Sequence, residues 1–374
     1  MVQFFRIWPL SPQSSPKPAS PSQRPSVSLV EGKMSIPPCY YNWIYQVLTR
    51  LPTLLINLSI LCLNDLPTLH PTFIRLVSCF KAIQTVILTD LEHQSFSEVI
   101  QVVNRLPQLK VIYIEDSKWD RPARFFPSRR LRVEAFYCTI DDKHLNTDVL
   151  DWLGSLQDLS TLDHLRIDYL QSSDWNKAYH ILQRCMHSLR FVNLFPSDED
   201  FIGSLSLSGH SKLECLDISF PSLHLPSYSA LFASRISQLL SPSLVYLVIS
   251  PFENLDLESL TTSQSSWKDI DDALDHPKFN QLAYFVMSLS DSYEGNIDCE
   301  TLRLTFQKIL PQSYRRGILW AGKYFDAIGE RRGEHFPEQN ADFFLFRSGA
   351  AFHICKDDER EFSITQLTRS YYRM

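Results

Sequence analysis

Glycine is scarce, at 10 in 374 residues. Phosphate-binding turns need positions that accept positive φ or close backbone approach, so this scarcity argues against glycine-rich nucleotide folds. An excess of basic residues is also missing: 36 Lys and Arg stand against 42 Asp and Glu, a formal net charge of −6. Proteins that hold phosphate backbones usually carry the opposite sign, so no nucleic acid is expected as a partner. No apolar run is long enough to cross a bilayer, and no membrane is expected either. The 8 cysteines include no CxxC pair. They sit in apolar settings such as Leu61-Cys62-Leu63, as small buried hydrophobes do. That usage fits a reducing intracellular compartment, cytoplasmic or nuclear, and not a disulfide scaffold.

Proline, by contrast, is plentiful, and residues 1–38 concentrate it with serine. Such a segment buries too little apolar surface to offset its ordering entropy, so 1–38 is expected to be disordered. From residue 39 to 289 a strand signature recurs, Leu-x-x-Leu-x-Leu with substitutions. It reads Leu58, Leu61, Leu63; Ile83, Val86, Leu88; and Leu109, Ile112, Ile114. A weak copy at Leu131 and Phe136 has Glu134 in an apolar place. Then follow Leu162, Leu165, Ile167; Leu189, Val192, Leu194; Leu213, Leu216, Ile218; Leu244, Leu247, Ile249; and Leu282, Phe285, Met287. First positions run from Leu58 to Leu282 at a mean spacing of 28 residues, with individual gaps of 22 to 38.

Amphipathic helices are predicted between the strands. The clearest runs from Ser95 to Leu106, with Ser95 and Glu98 as a capping box and Phe96, Val99, Ile100 and Val103 on one face. A second follows Asp174, with Trp175, Ala178, Tyr179, Leu182 and Met186 inward. Others cover 228–240 and 267–274, the last burying Trp267, Ile270 and Leu274. Residues 290–374 read as a capping segment, with a helix over 298–310 and a β-hairpin over 343–355. The expected fold is α/β: an irregular leucine-rich-repeat solenoid of about nine strand–helix units, with a parallel concave sheet and an irregular C-terminal cap. The asparagine that such repeats place three residues after the last strand leucine is missing. Those positions hold Leu66, Leu91, Ser117, Leu170, Ser197, Pro221 and Phe252.

Three stretches carry a family resemblance. They are Phe73 to Ile83 with Thr85-Val-Ile-Leu88, Trp267 to Leu282, and Leu310-Pro311 through Leu319. The chain resembles the leucine-rich half of basidiomycete F-box-like proteins over roughly residues 50–320. The resemblance implies a non-catalytic recognition surface, and in an F-box context a ubiquitin-ligase adaptor as a second partner. No residue here maps onto the F-box itself, so the adaptor has no residues assigned to it.

Chemical motifs are weak. Gly317 to Lys323 has GxxxxGK spacing, but Tyr324 replaces the magnesium-binding Ser/Thr and the intervening residues are bulky. A nucleotide-dependent enzyme built on this region is the alternative reading, and a truncated gene product without independent function is another. Cys185/His187 and His353/Cys355 lack a second pair at zinc spacing. Asp141-Asp142 and Asp271-Asp272 fit helix-start caps; Arg315-Arg316 and Arg331-Arg332 fit a solvated charge run. No cofactor and no catalysis is expected.

Strand residues flanking the core leucines point to the opposite, concave face. Aromatics recur there. The candidate contacts for an unknown protein partner are Tyr113, Tyr137, Arg166, Asp168, Phe191, Phe195, Tyr246 and Tyr284. Two readings of that face stand: an open binding surface, or one that the C-terminal segment covers.

Overall fold

The computed structural model describes residues 3–7, 58–64, 71–89, 91–123, 131–139, 145–196, 205–220, 226–239, 241–251, 264–289 and 299–323. The chain forms two compact parts, Met1–Leu189 and Arg190–Met374. Both are α/β.

In the first part the order is β1 (Gln3–Ile7), β2 (Leu58–Asn64), α1 (Pro71–Val77), β3 (Thr85–Thr89), β4 (Glu92–Ser95), α2 (Phe96–Asn104), β5 (Val111–Glu115), β6 (Lys118–Arg121), β7 (Ala135–Thr139), α3 (Leu145–Ser155), β8 (His164–Leu170) and α4 (Trp175–Cys185). Strands β1, β2, β3, β5, β7 and β8 pair in that order, all parallel. The second part runs β9 (Phe191–Pro196), β10 (Cys215–Phe220), α5 (Pro226–Gln238), β11 (Tyr246–Pro251), α6 (Gln264–Leu274), β12 (Tyr284–Leu289), α7 (Cys299–Ile309), α8 (Pro311–Arg315) and β13 (Leu319–Lys323). Its strands β9 to β13 are also paired parallel in sequence order.

The leucine pattern sets the register. Val86, Ile112, Phe136 and Leu165 align across β3, β5, β7 and β8, and Val192, Leu216, Leu247 and Phe285 across β9 to β12. All of them are buried, as are Leu162, Leu189, Leu213, Leu244 and Leu282 just before their strands. Each such side chain contributes about 1.5–3 kcal/mol when fully removed from water. The backbone repeats too. At several strand starts one carbonyl accepts two amides leading into the next strand: Gln84 O from Lys110 N and Val111 N, Lys110 O from Glu134 N and Ala135 N, Glu134 O from Asp163 N and His164 N. In the second part Arg190 O, Glu214 O and Val245 O do the same for the strands that follow them.

Several expectations are corrected. Residues 3–7 fall inside the segment expected to be disordered, yet Gln3–Ile7 is a strand against β2; Phe4, Phe5 and Ile7 are strand formers before the break at Pro9. The weak copy is shifted: Val133, Phe136 and Cys138 hold the core positions, all fully buried. Glu134 therefore lies outside the apolar set. Beyond 289 the helix expected over 298–310 forms as Cys299–Ile309, but the segment also adds a short helix and a strand, with Phe285 to Leu289 paired against Leu319 to Lys323. The hairpin expected at 343–355 lies outside the described residues. A two-stranded parallel ladder, β4 with β6, was not foreseen. It seats Trp119 against Phe96, ring centroids 4.7 Å apart.

Helix α2 buries its expected face, and Ser95 is its N-cap, accepting from Ser97 N at 3.2 Å rather than from the Glu98 position of a capping box. Helix α4 is turned from its expected face: Ile181 and Cys185 point inward, while Tyr179 is exposed and Met186 half-buried. Its inner stripe centres on Ala178 and Cys185, one helical step round from the Trp175–Tyr179 edge.

Basic side chains reach back to the carbonyls that end earlier helices. Arg184 donates to Gly154 O and Leu156 O at the end of α3, both at 2.5 Å. Lys278 donates to Ser237 O in α5, and Arg316 to Leu274 O, the last residue of α6. Arg316 also donates to Phe279 O at 2.8 Å. Such cations satisfy carbonyls that a helix end leaves open. The Arg315-Arg316 pair is thus not a solvated charge run, because Arg316 is spent on this cap. Asp271 works at the other polarity. It lies late in α6, fully buried, and accepts from Gln312 N at 2.7 Å and from Ser313 N at 2.8 Å and Oγ at 2.6 Å. It caps the start of α8, not of its own helix. Asp141-Asp142 and Arg331-Arg332 lie outside the described residues.

Replacing Asp271 by Ala takes the acceptor from the buried Ser313 amide and the half-buried Gln312 amide, which costs about 2–4 kcal/mol. Urea unfolding is expected to show a lower midpoint with an unchanged slope; an unchanged midpoint refutes the cap. Asp148 supplies a pH test. Trp119 Nε1 donates to its Oδ2 at 2.8 Å. Burial, chiefly, and the nearby Asp151 still raise its pKa above the ordinary 3.8. The folded state therefore binds this proton more tightly than the unfolded chain. That contribution is complete below pH 3.8 and is lost as pH rises through the folded value. Asp148→Asn is expected to flatten this acid-side slope in melting curves recorded across pH, and an unaltered slope refutes the assignment.

Candidate interaction face

Alternation along each strand sends Tyr113, Glu115, Tyr137, Thr139, Arg166 and Asp168 to the face away from the leucine core. Tyr113 pairs in register with Tyr137, and Tyr137 with Arg166, so the three form one row across β5, β7 and β8. The tyrosine rings lie 5.9 Å apart at 41°. Arg166 engages Asp168, two residues along its own strand, through Nε at 3.1 Å to both oxygens and through one terminal nitrogen at 2.7 Å. Two backbones next to this row are left-handed without being glycine, Asp116 at φ 46° and Tyr169 at φ 55°. Single residues of that kind hold sparsely populated conformations that the surrounding structure must enforce.

The second part repeats the arrangement with less charge. Phe191, Cys215, Tyr246 and Tyr284 form one row in register across β9 to β12. Tyr246 and Tyr284 stack, with centroids 4.9 Å apart and planes 5° from parallel. The next row brings Asn193 to Asp217, Nδ2 donating to Oδ2 at 2.9 Å. Arg190 lies over the Phe191 ring at 5.3 Å and is held by Glu214 at 2.8 Å.

This face was expected to be wet, and much of it is not. Tyr113 is 6% exposed, Tyr137 7%, Asp168 3% and Tyr246 4%. Arg166, Phe191, Phe195 and Tyr284 are half-buried. The physical reason is general to parallel sheets, whose strands are usually covered on both sides. Burial governs the chemistry here. It pushes the Tyr113 phenol pKa upward, and Glu115 adds to the effect. The Tyr113 hydroxyl and Thr139 Oγ1 are buried next to each other, and the contact from Thr139 lowers the phenol pKa only in part. Burial likewise raises the Cys138 thiol, with Asp168 adding to it, and pushes Cys185 up to about 12. Neither thiol is primed as a nucleophile.

The structure brings Tyr113, Tyr137, Arg166 and Asp168 together in the first part. In the second it aligns Phe191, Tyr246 and Tyr284, with Phe195 two rows along β9. It adds Thr139, Asn193, Cys215 and Asp217, which share those columns but lack the bulk or charge that draws attention in a sequence. The GxxxxGK spacing falls on different ground. Gly317 is left-handed at φ 70°, and Leu319–Lys323 is a strand paired with β12. A phosphate cradle needs loop amides converging on one point, which an extended strand does not supply. Among the described residues no group of three or more His, Cys, Asp or Glu side chains is placed to hold a metal. No helix among them is long and apolar enough to cross a membrane.

No protein-family model matches the chain, and no curated protein matches it at a significant level.

Asp168→Ala removes the carboxylate that the largely buried Arg166 guanidinium holds through three contacts and is expected to cost about 3–5 kcal/mol, as for other broken buried pairs. Tyr113→Phe, which removes a buried hydroxyl with at most a weak contact to Thr139, is expected to change stability by less than about 1 kcal/mol. Chemical denaturation of both variants checks the pair; equal losses refute this account of the row.

Proposed function

We propose that the chain is a leucine-rich-repeat-like solenoid that works by holding a protein partner, without catalysis, inside the cell in the cytoplasm or nucleus. The supporting observation is the pair of in-register rows on the face away from the core. They combine buried members that fix the surface with half-buried aromatics that reach its rim. Aromatic side chains of that kind are typical interface anchors. In this reading Tyr113, Tyr137, Asp168 and Tyr246 set the shape of the face from beneath, and Arg166, Phe191, Phe195 and Tyr284 make the contacts. Side-chain bonds one repeat apart, such as Thr161 Oγ1 to Val133 O at 2.9 Å and Ser241 Oγ to Leu213 O at 2.6 Å, supply the stiffness a recognition surface needs. The resemblance to F-box-like proteins fits a role in substrate recognition, with a ubiquitin-ligase adaptor as a separate partner.

Affinity capture with the wild type and a Phe191→Ala/Phe195→Ala/Tyr284→Ala variant tests the contact residues. The variant is expected to keep a cooperative melt and to lose the specific partners at least tenfold, as removal of interface anchors does. Capture of the same partners by both proteins sinks the proposal. A purified adaptor is expected not to bind the chain alone, since no residue maps onto an F-box.

A further inference from the structure

Of the three cations that close the ends of earlier helices, one is a lysine. Arg184 and Arg316 do this with guanidinium groups, which keep their charge at any ordinary pH. Lys278 does it with an amine. Its Nζ donates to the carbonyl of Ser237 in the last turn of α5, a bond that lies at the surface. The same amine stands over the Phe279 ring, 5.0 Å from its centroid. The backbone on both sides of the amine is tied down. Lys278 N donates to His276 Nδ1 at 3.3 Å, and Phe279 O accepts from Arg316 at 2.8 Å. The Phe279 side chain is fully buried. The turn Pro277–Phe279 thus presents this amine from a fixed position.

Its surroundings set it apart from other lysines. Lys110, Lys177 and Lys268 each face a carboxylate, on Glu134, Asp151 and Asp272. A carboxylate holds an amine in its charged, unreactive form. Lys278 has a carbonyl and a ring in that place, and a carbonyl dipole favours the ammonium less than a full negative charge does. Burial lowers its pKa below the ordinary lysine value. A larger share of the amine is then free base near neutral pH, and the free base is the nucleophile.

We infer that Lys278 is a modification site that takes an acyl group from an acyl thioester, and that acylation releases the end of α5. The ammonium first loses a proton to solvent. Nζ then attacks the thioester carbonyl carbon, a C–N amide bond forms, the C–S bond breaks, and the thiol leaves with a second proton from the amine. The product amide keeps one N–H and no charge. The charge-assisted bond to Ser237 O and the attraction to the Phe279 ring are both lost with the charge. None of these residues belongs to the proposed contact face, so the inference stands independently of it.

The test incubates the full chain with acetyl-CoA near neutral pH and follows acetylation at each lysine by mass spectrometry. Lys278 is expected to react several-fold faster than the exposed Lys118, Lys212 and Lys308. A rate no higher than theirs overturns the inference. Amide exchange is then read on the acetylated chain. Peptides from the last turn of α5 are expected to exchange several-fold faster than in untreated protein, with β10 and β11 unchanged. A Lys278→Arg chain carried through the same treatment is expected to keep the slow exchange. Unchanged exchange at α5 once Lys278 is acetylated overturns the inference, and so does the same acceleration in the Lys278→Arg chain.

Discussion

A single strand–helix repeat of this chain cannot satisfy itself. Its strand leaves a row of amides and carbonyls open on each side, and its leucines cover only half of the apolar surface they need. Parallel pairing to the next strand closes both deficits together. The carbonyls of Gln84, Lys110 and Glu134, and of Arg190, Glu214 and Val245, each take two amides from the strand that follows. That pairing fixes which residues face the helices and which face away.

Helix ends show how far the dependence on neighbours extends. Arg184, Lys278 and Arg316 donate to carbonyls that close earlier helices, and Asp271 accepts amides that open a later one. These side chains are 28 to 42 residues from the groups they cap. Local capping rules look within a turn of the helix and so miss them. Where the cap is local, as at Ser95, the sequence pattern finds it.

The outer face carries a tension between packing and recognition. In each part a row of aromatics is placed in register; Tyr113, Tyr137 and Tyr246 are buried, and Phe191 and Tyr284 are half-buried. Such a surface is stiff, because buried tyrosines and the Arg166–Asp168 pair leave little freedom. It is also a surface that open solvent would not tolerate easily.

The period of the leucines, read without coordinates, determined the α/β class, the position of most strands and the inward face of α2 and α6. It did so because core positions in parallel strands must be apolar at fixed spacing. It also placed Tyr113, Tyr137, Phe191, Tyr246 and Tyr284 on the opposite face, since alternation leaves no other choice. It misplaced the copy at 133–138, because Leu131 resembles a core leucine while Val133 and Cys138 are small and easily passed over. The tertiary structure alone decided the burial of the outer face, the long-range caps and the strand beyond residue 289. Each depends on what lies next to a residue in space, and one-dimensional spacing carries no record of the neighbour that a folded sheet brings across it.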